Sequence, residues 1–229
     1  TATGGTIAVT GNLKTTGDAA TNKITVQTAG GSSDTITLTK ASTGEVNDVL
    51  TTASGDATVS SGAAATSIQG DAHVGGALAV TTTSGNITIG TSNQTGYDIT
   101  GGSTSITSGI NVYGTVNSNG ATGNTLVQTL NAITLATNDD TNPVLSSTNG
   151  NVTVKTFTGE TASGGYALSI TGDIKAGKAI DLETNSGTLG YTGDASAATG
   201  VTLKSAAVGG VITVSGSLAT NGTTNTDNP

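Results

Sequence analysis

The chain has 229 residues, a formal net charge of −8, seven Lys and no Arg, which leaves no basic patch for nucleic acid or anionic lipid. It has no Cys, so disulfides and thiolate metal sites are excluded together. Thr, Gly, Ser, Asn and Ala dominate, and charged residues are only 10%, yet abundant β-branched residues and a mean hydropathy of zero separate the chain from the composition of disorder.

That composition points to sheet, because Thr, Val and Ile are stiff at χ1 and fit a pleated, half-buried surface. No run of about 18 apolar residues is present that could span a membrane as a helix. The chain opens at Thr1 with no initiator methionine and no leader pattern, and the expectation is a processed chain or a fragment.

In chain order, the first predicted element is an apolar strand over Thr6–Gly11 (TIAVTG). A recurrent phrase follows, Gly then Asn or Asp then alternating apolar and polar residues. It reads GNLKT at Gly11, GDATV at Gly55, GDAHV at Gly70, GNITI at Gly85, GNVTV at Gly150 and GDIKA at Gly172. Variants are SDTITL at Ser33, GINV at Gly109, GDASA at Gly193 and GVITV at Gly210. Gly with Asn or Asp supplies the left-handed backbone of a tight corner, and the alternation reads as a short strand with one buried face.

Spacing adds to the phrase. Gly11, Ser33 and Gly55 stand 22 residues apart, Gly55, Gly70 and Gly85 stand 15 apart, and Gly150, Gly172 and Gly193 are separated by 22 and 21. A period near 20 that tolerates insertions is that of a coiled strand stack. The expectation is a single all-β domain over 1–229, a parallel β-solenoid with coils of about 20 residues and loop excursions near 90–108 and 114–125. Val, Ile, Leu and Ala suit its narrow bore, and roughly ten coils at ~4.8 Å give a rod on the order of 50 Å. The alternative is a β-sandwich fibre or S-layer subunit, although a sandwich core about 10 Å thick draws on large aromatics that are scarce here.

One stretch departs from this grammar. Ser42-Thr43-Gly44-Glu45 matches a capping box, and Val46, Val49 and Leu50 follow at helical spacing, predicting a short helix over 43–51. The polar tail Asn221–Pro229 has no apolar anchor and is expected to fray.

At GNITIG (Gly85–Gly90), GNVTVKT (Gly150–Thr156) and GDIKAGKAIDLET (Gly172–Thr184) the sequence resembles the filamentous-haemagglutinin-like large exoproteins of bacterial surfaces. The resemblance implies a right-handed parallel β-helix, secretion, and a role in adhesion or surface coating, with host-cell or matrix glycans among its partners. It brings no catalytic residues to this chain. The 15-residue spacings and the predicted helix depart from that family's coil.

Chemistry has few residues to work with. His73 is the one imidazole, and a Ser–His–Asp arrangement needs its three members to converge from different directions, whereas Asp71 and His73 lie on the same face of one strand. Polysaccharide lyases on a β-helix combine clustered carboxylates with a basic residue, and the seven Lys are scattered. The expectation is therefore no enzymatic activity and no cofactor. Calcium is the one metal with candidate ligands. Asp34 lies in GGSSDTI, similar to a calcium-binding nonapeptide, and Asp139 and Asp140 stand beside Asn138 and Asn142. Ice binding would need Thr-x-Thr ladders such as Thr35-x-Thr37-x-Thr39 and Thr156-x-Thr158 to recur at a fixed coil offset, and along the sequence they do not. The Asn-x-Thr sequons at Asn86, Asn93, Asn151 and Asn221 carry no weight in a chain so rich in both residues.

The functional expectation is mechanical: an extracellular or cell-surface protein that assembles with copies of itself or neighbouring repeats into a filament or layer, or presents loops for adhesion. A solenoid has two open ends with unpaired backbone groups, and neither end of this sequence shows a strong cap. Thr6, Ile7, Ala8 and Val9 at one end, and Val211, Ile212 and Val214 at the other, are the candidate assembly residues.

Overall fold

A computed structural model describes residues 5–17, 19–29, 31, 33–41, 47–82, 85–90, 97–107, 110–128, 132–137, 142–156, 166–184, 187–206 and 210–221. Its strands wind coil upon coil. The first coil holds β1 (Ile7–Thr10), β2 (Leu13–Thr15) and β3 (Ile24–Gln27), the second β4 (Ile36–Thr39), β5 (Asp48–Thr52) and β6 (Ala57–Ser61). Then come β7 (Thr66–Gln69) and the long β8 (Asp71–Thr82), β9 (Ile87–Ile89) and β10 (Tyr97–Thr107), and β11 (Ile110–Ser118) with β12 (Thr125–Gln128). The sixth coil is β13 (Ile133–Ala136), β14 (Leu145–Ser147) and β15 (Val152–Lys155), the seventh β16 (Leu168–Thr171), β17 (Ile174–Ala176) and β18 (Ala179–Thr184). The eighth is β19 (Leu189–Thr192), β20 (Ala195–Ala197) and β21 (Gly200–Ser205), and the last described strands are β22 (Ile212–Ser215) and β23 (Leu218–Thr220).

Every pairing among these strands is parallel, which sets aside the hairpins of a sandwich. The fold is a parallel β-solenoid with three sheet faces. On the first face the inward column runs Ile7, Ile36, Thr66, Ile87, Ile110, Ile133, Leu168, Leu189, Ile212. On the second it runs Leu13, Leu50, Ala72, Ile99, Val116, Leu145, Ile174, Ala195, Leu218. On the third it runs Ile24, Ala57, Leu78, Thr104, Thr125, Val152, Ile180, Val201. These columns form one continuous core of aliphatic side chains. Nine rungs at ~4.8 Å make a stack about 40 Å long.

Coil length is less regular than the phrase spacing. Successive rungs are 17 residues apart from Ile99 to Val116 and 37 apart from Leu13 to Leu50. The phrases also serve all three faces: GNLKT feeds the second, SDTITL the first and GDATV the third. The 22-residue spacing of Gly11, Ser33 and Gly55 therefore compares different faces. Gly172 to Gly193 compares like with like, leading to β17 and β20, which pair.

The glycines of the phrase have two distinct causes. Between the first and second faces, Gly11, Gly172, Gly193 and Gly216 have φ of 113, 125, 140 and 137°, the left-handed region in which a Cβ is strained. Before β9 and β19, Gly85 and Gly187 are held by close approach instead: an added Cβ would lie 2.0 Å from the Ala64 carbonyl oxygen and 2.1 Å from that of Tyr166. A hydroxyl closes each of these corners from within. Thr82 Oγ1 donates to the Gly85 carbonyl at 2.7 Å and Thr184 Oγ1 to that of Gly187 at 3.1 Å, while Thr52 makes the same bond to Gly55.

Two sequence expectations are corrected. The helix expected over 43–51 is replaced from Asp48 onward by β5, residues 43–46 lying outside the described residues. Leu50 stacks between Leu13 and Ala72, and the register shifts between Asp48 and Leu50, so Val49 and Leu50 are both buried. That bulge puts two adjacent apolar residues inside and imitates helical spacing. Of the excursion expected near 90–108, β10 makes 97–107 strand, with 91–96 and 108 outside the described residues; of that expected near 114–125, β11 makes 114–118 strand while 119–124 is loop. Their inward positions include polar residues, which hid the alternation. Thr104 Oγ1 donates to the Asn117 carbonyl at 2.8 Å, Thr125 Oγ1 to Ser118 Oγ at 2.8 Å, and Ser118 Oγ to the Asn124 carbonyl at 3.0 Å. Each buried hydroxyl is thereby satisfied.

Candidate assembly site at the ends of the stack

A rung in the middle of the stack is covered above and below. Leu189 and Ala195 in the eighth coil are at most 1% exposed, as is Tyr191. One coil on, Val211, Ile212, Val214 and Leu218 are 53, 42, 37 and 46% exposed, and these are the exposed large hydrophobics among the described residues. They continue the buried columns into solvent: Ile212 over Leu189, Val214 over Tyr191, Leu218 over Ala195. At the other end Ile7, Val9, Leu13 and Ile24 are only partly buried against the core. Among the described strands β22 pairs only with β19, β23 with β20, β1 with β4 and β2 with β5, so both terminal coils keep an unpaired edge.

The expected assembly residues therefore divide by end. Ile7, Ala8 and Val9 lie in β1, Thr6 just before it, Ile212 and Val214 in β22, and Val211 just before that. On the second strand at each end, outside the expected set, Leu13 is likewise only partly buried and Leu218 is exposed.

The two end coils are also alike. Ile7-Ala8-Val9-Thr10-Gly11-Asn12-Leu13-Lys14-Thr15 matches Ile212-Thr213-Val214-Ser215-Gly216-Ser217-Leu218-Ala219-Thr220 at Ile, Val, Gly, Leu and the final Thr. In each the second-face residue follows six positions after the first-face one, Leu13 after Ile7 and Leu218 after Ile212, through a glycine of positive φ. The same six-residue step joins Thr66 to Ala72, Ile110 to Val116, Leu168 to Ile174 and Leu189 to Ala195, of which only the last two also carry a positive-φ glycine, whereas the first coil's own neighbour takes fourteen, from Ile36 to Leu50. The first coil has the corner of the last three, not of the coil beside it.

The acidic and amide side chains of the phrase tie coil to coil. Asp173 Oδ1 accepts the Asp194 N–H at 2.9 Å, and Asp194 Oδ1 accepts the Ser217 N–H at 2.9 Å. Asn124 Oδ1 likewise takes the Asn151 N–H at 2.8 Å, and Asn151 Oδ1 that of Ala179 at 3.1 Å. This explains Asn or Asp after Gly: the side chain accepts the N–H of the next coil's corner.

Asp34, the calcium candidate, also accepts backbone N–H groups, one from the preceding coil and one from its own loop. Buried at 4% exposure, it accepts the Gly5 N–H at 2.7 Å on one oxygen and the Gly31 N–H at 2.9 Å on the other. Asp139 and Asp140 lie outside the described residues. Among the described residues no group of three or more His, Cys, Asp or Glu is placed to hold a metal. His73 stands on the outer surface, its Nδ1 2.9 Å from Asp48 Oδ1 of the adjacent coil. No described helix is long and apolar enough to cross a membrane.

No family model matches the chain, and no curated protein or solved structure does. What holds of the resemblance noted above is the fold, an all-parallel repeat stack of the generic β-solenoid type, and not a particular family.

Proposed function

We propose that this chain is a structural protein of the cell exterior whose work is mechanical, not catalytic, and that it polymerises end to end, the last coil of one copy stacking on the first coil of the next. The observation that carries this is the match between the terminal coils, in sequence, in the six-residue step and in the positive-φ corner. A following copy adds Ile7 over Ile212, Val9 over Val214 and Leu13 over Leu218, continuing three core columns in register. The Ser217 hydroxyl, which donates to Asp194, retains a lone pair for the N–H of the next copy's Asn12.

Magnitudes set the character of the joint. Covering four half-exposed aliphatic side chains on one end contributes roughly 1 kcal/mol each, on the order of 4 kcal/mol. Loss of translational and rotational freedom costs about 4–15 kcal/mol, so apolar contact alone is marginal. Closing the strand ladders supplies the difference, and assembly depends steeply on concentration and on register.

Sedimentation velocity over a range of concentrations tests this. The full chain should form higher species with rising concentration. Deleting residues 1–10, or introducing Ile212→Glu with Val214→Glu, should leave soluble monomers with a β-sheet circular dichroism spectrum. Polymer undiminished in both variants would sink the proposal.

A further inference from the structure

The three faces differ in charge. The first-face strands read IAVT, ITLT, TSIQ, ITI, INVY at the start of β11, ITLA, LSIT, LGYT and ITVS, and none contains an ionisable acid, Lys or His. The second face carries Lys14, Asp48, Asp71, His73, Asp98 and Lys175, and the third carries Lys155, Asp181, Glu183 and Lys204. The first face runs in register without a shift, whereas on the second face the pairing of β5 with β8 shifts between Asp48 and Leu50. Its outward positions are rich in small hydroxylated side chains. Thr37 faces outward beside Ser67, with Thr88 on the following rung, so hydroxyls scattered along the sequence are aligned by the fold.

We propose that this uncharged face is the lateral contact of the polymer, packing against the same face of a second copy in a neighbouring filament. This rests on the end-to-end reading. Three considerations select a second copy as the occupant. A net charge of −8 makes copies repel, and this is the face on which close contact strips water from no ion. Rungs spaced by one strand, about 4.8 Å, are commensurate with the rungs of another such face, which lets small side chains interdigitate. The area is self-limiting as well. Nine rungs of about 4.8 Å by four residues of about 3.3 Å give roughly 550 Å² per copy, below the ~800 Å² per partner of a stable pair. Single copies therefore stay apart on this face, and filaments, in which the contact repeats, associate.

The test is negative-stain electron microscopy of the full chain under polymerising conditions, beside Thr37→Lys with Thr134→Lys and a control with Ser146→Lys and Ser196→Lys on the second face. Both variants lower the net negative charge equally, so a general charge effect would favour bundling in both. The wild type and the control should give laterally paired filaments, and the first-face variant single filaments of unchanged length. Wild-type filaments that stay single, or first-face variant filaments that pair as the wild type does, would overturn the inference while leaving end-to-end assembly intact. If filaments stay single and an insoluble polysaccharide sediments the wild type but not the first-face variant, the face takes a glycan and not a second copy. No filaments of any kind would overturn the end-to-end reading itself.

Discussion

Asp194 receives two hydrogen bonds from Ser217, one from its backbone N–H at 2.9 Å and one from its hydroxyl at 2.8 Å, both on Oδ1. These bonds hold the Asp194 carboxyl below the usual carboxylate range and fasten the last described coil to the one beneath it. Asp194→Ala should leave the stack folded but speed hydrogen exchange at the Ser217 amide. Because the folded pKa is depressed, the contribution is present above the unfolded value, ~3.9, and disappears as pH falls through the folded one. The protection factor at Ser217, its exchange relative to an unstructured amide at the same pH, should therefore fall on acidification in the wild type and change little in the variant.

The hydroxyl-closed corner gives a second prediction. Thr184→Val removes the bond to the Gly187 carbonyl and should cost about 1 kcal/mol. Gly187→Ala places a methyl against the Tyr166 carbonyl oxygen and should cost about 1–3 kcal/mol, since backbone must shift. Urea midpoints followed by circular dichroism check both, and equal midpoints for Gly187→Ala and the wild type would contradict the close approach.

Across the third face, Lys155 lies 3.0 Å from both Asp181 and Glu183, and Lys204 pairs with the other Glu183 oxygen. Burial pushes Glu183 up, but bonds from Lys204 and Lys155 outweigh it and hold the carboxyl below its usual range. Burial pulls Lys155 down, and its bonds to Glu183 and Asp181 outweigh that and raise it. The Glu183 contribution is lost as pH falls through its depressed pKa, that of Lys155 as pH rises through its raised one. The cluster thus stabilises between roughly pH 4.5 and 10, the unperturbed carboxylate and ammonium values. Glu183→Gln should lower stability by roughly 1–2 kcal/mol within that window and leave both extremes unchanged, as pH-dependent urea melts would report.

Position in the stack should decide the cost of truncation. Ile170 is 1% exposed in a mid-stack column, and Ile170→Ala should cost about 2–5 kcal/mol. Ile212 continues the neighbouring column at 42% exposure, and Ile212→Ala should cost under about 1 kcal/mol in the monomer. On assembly the order of importance changes, because Ile212 becomes a mid-stack residue at the joint. Urea melts below the assembly concentration and sedimentation above it separate the two effects.

How far the sequence was legible follows from these particulars. The alternation in ITLT at β4 and VTVK at β15 could be read directly, because the buried partners of each strand are the apolar residues themselves. The coil length could not, because the phrase marks corners of all three faces and its spacing mixes them. At Thr104, Ser118 and Thr125 the core is hydroxylic, and only the carbonyls that the fold brings to them, from adjacent coils for Thr104 and Thr125 and from the same coil for Ser118, reveal why those residues can be buried. The strand at Val49 and Leu50 was obscured by a bulge whose cause lies in the neighbouring coil. The likeness of the two terminal strands at Ile7 and Ile212 was legible from TIAVTG and VITVSG, whereas the uncharged first face appears only when strands distant in sequence are laid side by side.

The most direct test of the central claim is electron microscopy, with fibre diffraction, of the full chain at concentrations where it sediments as polymer. End-to-end stacking predicts unbranched filaments with a strong axial reflection near 4.8 Å and a subunit repeat of about 43 Å, the height of nine rungs. Isolated rods about 40 Å long at every concentration, or filaments whose strands lie along the axis, would contradict it.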